Sequence, residues 1–326
     1  MKGLLLKTIY LLLFLIIFWQ IYVHLNLSDN KKQTRSYENL VNYRVYVPAT
    51  ALSSSPAIIN SPEYPEIIKN LPQVTNLTLG HVPELQQVWL NVALTADQQL
   101  IIIPNIDLEK YSNLYSLYGK DGKIDFNQLT LAQLKQVKFS QDYQWQTLKE
   151  FFQHNEHLNL IFWLNLLNAH NLYLQNNLDL GKIAFNTVEQ SGIAEQRINF
   201  VSPSLIILSH LRNDLIRPTE KKYQLAFLIE AGNQLPVDKP DVNLGYTSFV
   251  TVAHKVVIDH SYLIQQGNII NSWYPELILS TRKPTYIYNL NLSTPSQLRQ
   301  LYLSSKAFGY KGIVTKFRSQ DLYFAP

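Results

Sequence analysis

Nine short apolar runs set the tightest limit on what this chain can fold into. They are Ala57–Asn60, Val88–Leu94, Leu100–Ile103, Leu160–Asn165, Ile198–Val201, Leu225–Ile229, Lys255–Ile258, Thr285–Leu290 and Gly312–Thr315. Most are continuous rather than alternating, the pattern of strands buried on both faces in parallel sheets that helices cover. Helical patterns lie between them. The clearest starts at Thr130, where Gln133 completes a capping box, and runs through Leu131, Leu134 and Val137. One pair breaks the alternation: Val88–Leu94 and Leu100–Ile103 are separated only by Thr95–Gln99, a hairpin-sized gap. Counting that pair as one strand with an extension leaves eight strands. Eight strands alternating with helices over about 270 residues predict an α/β TIM (β/α)8 barrel over residues 57–326, with a hairpin extension after its second strand.

A different signal precedes the barrel. Thr8 to Ser28 carries no formal charge, and its centre reads Leu11-Leu12-Leu13-Phe14-Leu15-Ile16-Ile17-Phe18-Trp19. About 20 mostly apolar residues suffice for a helix to cross a bilayer. Trp19 and Tyr22 sit where amphipathic rings favour the interface. A cleaved signal peptide would end in a small-x-small site, and no small residues follow Phe18 in that spacing. Residues 1–28 are therefore expected to be an uncleaved single-pass anchor, and the polar residues 29–56 a tether. Positive charge is similar on the two flanks (Lys2 and Lys7; Lys31, Lys32 and Arg35), so it does not decide orientation. The expected placement of the barrel is extracytoplasmic.

Composition removes several functions. Hydrophobic residues make up 46% and charged residues 16% of the chain, enough to bury a large core. Lys and Arg are scattered and the net charge is only +4, which argues against nucleic acid as a partner. With no Cys, there is no thiolate nucleophile or disulfide, and the usual structural zinc ligands are missing.

Around the hairpin the sequence resembles a known family. Val88-Trp89-Leu90-Asn91-Val92-Ala93-Leu94-Thr95-Ala96-Asp97 is followed by Leu100-Ile101-Ile102-Ile103-Pro104-Asn105. Then come Gly119-Lys120-Asp121-Gly122-Lys123-Ile124 and Leu129-Thr130-Leu131-Ala132-Gln133-Leu134-Lys135. These are similar to the I-E-x-D-V-x-x-T-x-D-G, V-x-x-H-D, Gly-rich turn and L-T-L-A-E-L motifs of glycerophosphodiester phosphodiesterases. Val201-Ser202-Pro203-Ser204 with Arg212 fits the middle of that barrel. Tyr286–Asn291 and Gly309–Thr315 resemble the family's closing v-y-x-W-T-v-N and G-v-D-G-I-i-T segments.

The resemblance implies metal-assisted hydrolysis, with two His as acid and base and carboxylates holding a divalent cation such as Mg²⁺ or Ca²⁺. A hard cation requires anionic oxygens, and a leaving alkoxide requires a proton donor of suitable pKa. Matched to this chain, the first His motif falls on Asn60-Ser61-Pro62. The metal-binding Glu and Asp fall on Trp89 and Asn91, and the second His and its Asp on Pro104 and Asn105. The later Glu falls near Asn165, with Leu167 at the family's Lys. No catalytic residue is matched, and neither a bound metal nor any other cofactor is expected. The positions expected to line a pocket are Asn60, Trp89, Asn91, Asn105, Asn165 and Tyr288.

Other polar groups fall near strand exits: Glu230, Asp259, His260 and Lys316, with His81 the one nearby imidazole in the least similar stretch. The four strand-exit groups read as solvated loop starters in preference to a relocated acid/base site. His154 and His157 lack a third ligand, and His254 is expected to be exposed. Two functions remain. One is a non-catalytic, membrane-anchored barrel that binds a lipid-derived or polyol ligand, or a partner, near the membrane. The other is a phosphoric diester hydrolase of glycerophosphodiesters, in lipid metabolism, that works through substituted residues.

Overall fold

A computed structural model of the protein describes residues 56–61, 86–119, 123–140, 143–155, 160–229, 251–260, 264–265, 268–269, 283–307 and 309–316. The expected anchor and nearly all of the tether lie outside these residues, as do His81, His157 and Glu230. No helix among the described residues is long and apolar enough to cross a membrane.

The strands are β1 (Ala57–Asn60), β2 (Gln86–Leu94), β3 (Leu100–Ile103), β4 (Leu160–Leu166), β5 (Ile198–Ser202), β6 (Gln224–Ile229) and β7 (Lys255–Asp259). A two-residue pair follows, β8 (Ile264–Gln265) and β9 (Asn268–Ile269), then β10 (Thr285–Tyr288) and β11 (Gly312–Thr315). Eight of them hydrogen-bond in the order β1-β11-β10-β7-β6-β5-β4-β2, and β2 returns to β1. Every pairing around this ring is parallel, so the sheet closes into a barrel. The eight-stranded parallel barrel expected from the apolar runs is thus the observed fold.

At β2 one edge changes partner halfway along. Gln87 and Val88 pair with β1, while Asn91 to Leu94 pair antiparallel with β3. β3 therefore takes over the edge that the short β1 vacates. The connecting turn is closed by Thr95, whose amide donates to the Gln99 carbonyl and whose hydroxyl accepts from the Gln99 amide. Asp97 in this turn accepts from the Leu131 amide, tying the turn to the helix start at Thr130. That helix has both bonds of the capping box, but it is a single turn, Leu131–Leu134. It stops short of Val137 because the amides of Gln136 and Val137 make tighter bonds to residues three back, Gln133 and Leu134.

Strand alternation sorts the apolar residues into separate cores. On β4, Leu160, Phe162, Leu164 and Leu166 face outward and pack under the helices with Phe151, Phe152, Leu180 and Phe185. The intervening Trp163 faces inward, where Ile59, Trp89, Val201, Leu228, Val257, Tyr286 and Val314 fill the barrel. A third core, with Ile101, Ile103, Leu114, Leu134 and Trp145, sits against the β3 side. Gly312 is needed where β11 passes β1 and β10. A Cβ there would lie 2.8 Å from the Ala57 carbonyl oxygen and 2.8 Å from Tyr286 Cδ1. Gly312→Ala is therefore expected to lower stability by about 1–3 kcal/mol, read as a fall in urea midpoint; an unchanged midpoint would contradict this packing.

Candidate functional site

In barrels of this kind, chemistry sits at the C-terminal ends of the strands. Here β2 and β4 run in register, so Trp89 lies opposite Trp163 and Asn91 opposite Asn165. Both pairs point into the barrel. The two indoles stack with centroids 6.3 Å apart at 21°. Tyr286 packs edge-on against Trp163 at 4.7 Å, and Tyr288 lies 5.2 Å from Trp89. Trp89 is only 1% exposed. The Trp89 ring is spent on core packing, and the half-exposed ring at this end is Tyr288.

One acceptor organises the polar layer above the indoles. Asn91 Oδ1 accepts from Trp89 Nε1 at 3.0 Å and from Asn165 Nδ2 at 2.9 Å. Asn165 is 5% exposed, and its Oδ1 has no hydrogen-bond partner among the described residues. A buried acceptor left unmade costs about 1–3 kcal/mol, so this oxygen is the point at which a donor would be held best. By its place in β7, Asp259 shares the inward face with Val257 and lies beside Tyr288 in register. The next residue, His260, is held below its ordinary pKa by burial, opposed by Asp259.

The other expected positions separate. Asn60 adjoins the inward-facing Ile59, so alternation turns it to the opposite face, where its Nδ2 donates to the Lys316 carbonyl at 3.0 Å. That bond, and its place on the other face of β1, set it apart from the Asn91–Asn165 pair. Asn105 lies two residues beyond Ile103, the residue opposite Asn91, on the returning arm of the hairpin. Pro104 is buried, and the Leu167 amide donates to the Val92 carbonyl.

These residues do not fit a divalent cation. Asn91 Oδ1 already serves two donors, Asn165 offers one neutral oxygen, and Trp89 occupies the third position. Hard cations are held by several oxygens, mostly anionic. Among the described residues there is no group of three His, Asp or Glu placed to hold a metal.

The opposite end of the barrel carries charge that the sequence did not reveal. Lys255 points inward, donates to Asn199 Oδ1 and lies 4.8 Å from the Trp163 ring centroid. Burial pushes its pKa down to about 8. His254 is not the exposed residue expected. It is partly buried, and its Nδ1 accepts from the Leu225 amide at 3.0 Å, which requires a neutral ring nitrogen. Burial, then the nearby Arg212, Lys283 and Lys255, push its pKa down to about 4 from 6.5. The folded state therefore binds this proton less readily than the unfolded chain. The stabilisation is present in full above pH 6.5 and is lost as pH falls from 6.5 towards 4. After allowance for partial solvation, the loss should be on the order of 1–2 kcal/mol. Urea midpoints at pH near neutrality and below 5 should differ less in His254→Gln than in the natural protein; equal differences would exclude His254 as the source.

The Asn91 network gives a sharper contrast. Asn91→Ala removes the acceptor of two buried donors and should cost about 2–4 kcal/mol. Asn91→Asp keeps the acceptor and should stay folded near the natural stability. Thermal unfolding separates them, and equal melting points would refute the network.

No protein-family model matches the sequence, and no curated protein matches it. Solved structures do match in fold. A phosphodiesterase from Oleispira antarctica, in complex with the product sn-glycerol-3-phosphate, superposes with TM-score 0.55 at 14% identity, covering 84% of this chain and 98% of that one. A glycerophosphodiester phosphodiesterase from Thermotoga maritima gives 0.50 at 14% identity, covering 83% and 98%. A Galdieria sulphuraria protein assigned to the same activity gives 0.57 at 13% identity, covering 82% and 97%. The likeness to glycerophosphodiester phosphodiesterases read from the motifs is therefore found in the fold, across most of the chain.

Proposed function

We propose that this protein is a non-catalytic barrel of the glycerophosphodiester phosphodiesterase type. Its mouth binds a neutral, hydroxyl-bearing ligand such as a glycerol- or glycan-like headgroup, and residues 1–28 hold it at a membrane. The observation that carries this reading is the replacement of the metal-site layer by an amide network. Asn91 is saturated by Trp89 and Asn165, while Asn165 keeps one unpartnered, buried oxygen. A hydroxyl donor suits that oxygen, and the Tyr288 ring, packed on Trp89 at the same end, offers an apolar face for the carbon skeleton. The phosphodiester group itself has no donor to give, and among the described residues no group of three His, Asp or Glu is placed to hold a cation that would offset its charge.

Two losses oppose turnover. Metal ions contribute several kcal/mol of charge stabilisation, and acid–base groups about 10²–10⁴-fold in rate. The position matched to the second catalytic His holds Pro104, which has no proton to transfer. Glycerophosphodiesters incubated with the full-length protein and Mg²⁺ or Ca²⁺ should show no hydrolysis above the buffer rate. Asn91→Asp should not restore it, because such sites act as units. Turnover by the natural protein that EDTA abolishes would overturn the reading. In the same preparation, glycerol and glycan headgroups should shift tyrosine and tryptophan emission saturably, and Asn165→Leu should remove the response.

A further inference from the structure

Away from the mouth, the outer helical layer holds a second candidate site. The helix after β5 starts at Leu205, capped by Ser204, and its second half, Leu211–Ile216, is a π-helix. There the Arg217 amide donates to the Arg212 carbonyl, a bond spanning five residues. In an α-helix, residues five apart lie about 140° apart around the axis. The wider π-turn stacks them on one side, and such turns recur at functional sites. Arg212 and Arg217 consequently line one groove of about 570 Å³, together with Ile206, Ser209, Asn213 and the Thr251–Val252 segment.

Among the described residues, no acid pairs with either guanidinium of this groove. Arg212 donates to the Val252 carbonyl at 2.8 Å and Arg217 to Asn213 Oδ1 at 3.0 Å, both neutral acceptors. Asn213 in turn donates to Ser209 Oγ, so a hydrogen-bonded ladder runs along the groove wall. Asp214, the acid on this helix, pairs with neither Arg. Asp179 pairs with His210, which also lines the groove, and not with either Arg: its Oδ2 lies 3.7 Å from His210 Nδ1, and Oδ1 accepts from the Lys182 amide. Burial, and after it the like charge of Arg217, pushes the Arg212 pKa down. Two cations held on one wall with no acid paired to either disfavour each other, and an anion between them removes that cost. Guanidinium forks match tetrahedral oxyanions in geometry as well as charge. The exposed Ile206 gives the same groove an apolar lip.

We propose that this groove is a binding site for a phosphate group, with Arg212 and Arg217 as its charged ligands and Ser209 and Asn213 as supporting donors. The source is either free phosphate or the headgroup of an anionic phospholipid, and the chemistry at the guanidinium groups is the same for both. The site lies on the flank of the barrel. It shares no residue with the Asn91–Asn165 mouth and stands whether or not that mouth binds a ligand.

The test is the melting temperature of the full-length protein in non-ionic detergent, titrated at constant ionic strength with inorganic phosphate or with water-soluble dihexanoyl phosphatidic acid. A saturable rise is expected with at least one probe. Arg217→Gln, on an exposed side chain, should weaken the apparent affinity by about tenfold while the unliganded protein melts as before. Arg212→Gln should do the same or more, although loss of its bond to Val252 can lower the melting point by itself. Equal response to both probes assigns free phosphate; a response about tenfold tighter for the phospholipid assigns the headgroup and the apolar lip. No saturable response to either probe, or a response unaltered in Arg217→Gln, would overturn the proposal.

Discussion

The interior of the barrel is a fixed volume, and aromatic rings fill it. Trp89 and Trp163 face each other from adjacent strands, and Tyr286 and Tyr288 close on them from the far wall. Close packing of this kind tolerates little change in volume. Most of what distinguishes the molecule follows from it. A large ring at position 89 excludes the space that an acid and its cation would use. It also brings an indole N–H to the mouth, where something must accept it. Asn91 does so, and its remaining capacity goes to Asn165. The amide layer is thus the polar consequence of an apolar choice one layer below.

The same stack explains why the two ends of the barrel differ electrostatically. At the mouth the donors and acceptors are neutral amides with Asp259 nearby in register. At the other end, Lys255 is accommodated by the face of Trp163 and the oxygen of Asn199 rather than by a carboxylate. A cation over an indole is favoured by the ring quadrupole, which makes a partly buried lysine tolerable while leaving its pKa depressed. His254, next in sequence, faces the same positive surroundings and stays neutral.

Much of the fold was legible because parallel strands buried on both faces must be apolar throughout. The runs at Leu160–Asn165 and Leu225–Ile229 could hardly be anything else. Asn91 and Asn165 were legible as matched positions on two strands, whereas their facing comes from the in-register pairing of β2 with β4. What resisted reading depends on side-chain direction or on distant neighbours. Asn60 ends a strand, where alternation rather than motif decides its face. Trp163 looked like one more apolar residue, and nothing local announces that it meets Trp89. His254 looked exposed because its acceptor role involves the amide of Leu225, on another strand. The groove at Arg212 and Arg217 depends on a π-turn, for which the sequence carries no plain signal, and on Thr251–Val252 from another part of the chain.

The partner change along β2 has a consequence for synthesis. β1 is four residues long, and its place in the barrel is secured by β11, with Asn60 bonded to Lys316 across 256 residues of chain. A ribosome has to deliver every residue from β1 through β11 before that seam can close. Until then the lower half of β2 lacks one neighbour, and an open strand edge invites pairing with other chains. β3 is made directly after β2 and covers the upper half of the same edge at once. The hairpin therefore acts as a built-in temporary guard, halving the sticky edge of a nascent barrel for as long as its first strand waits for its last.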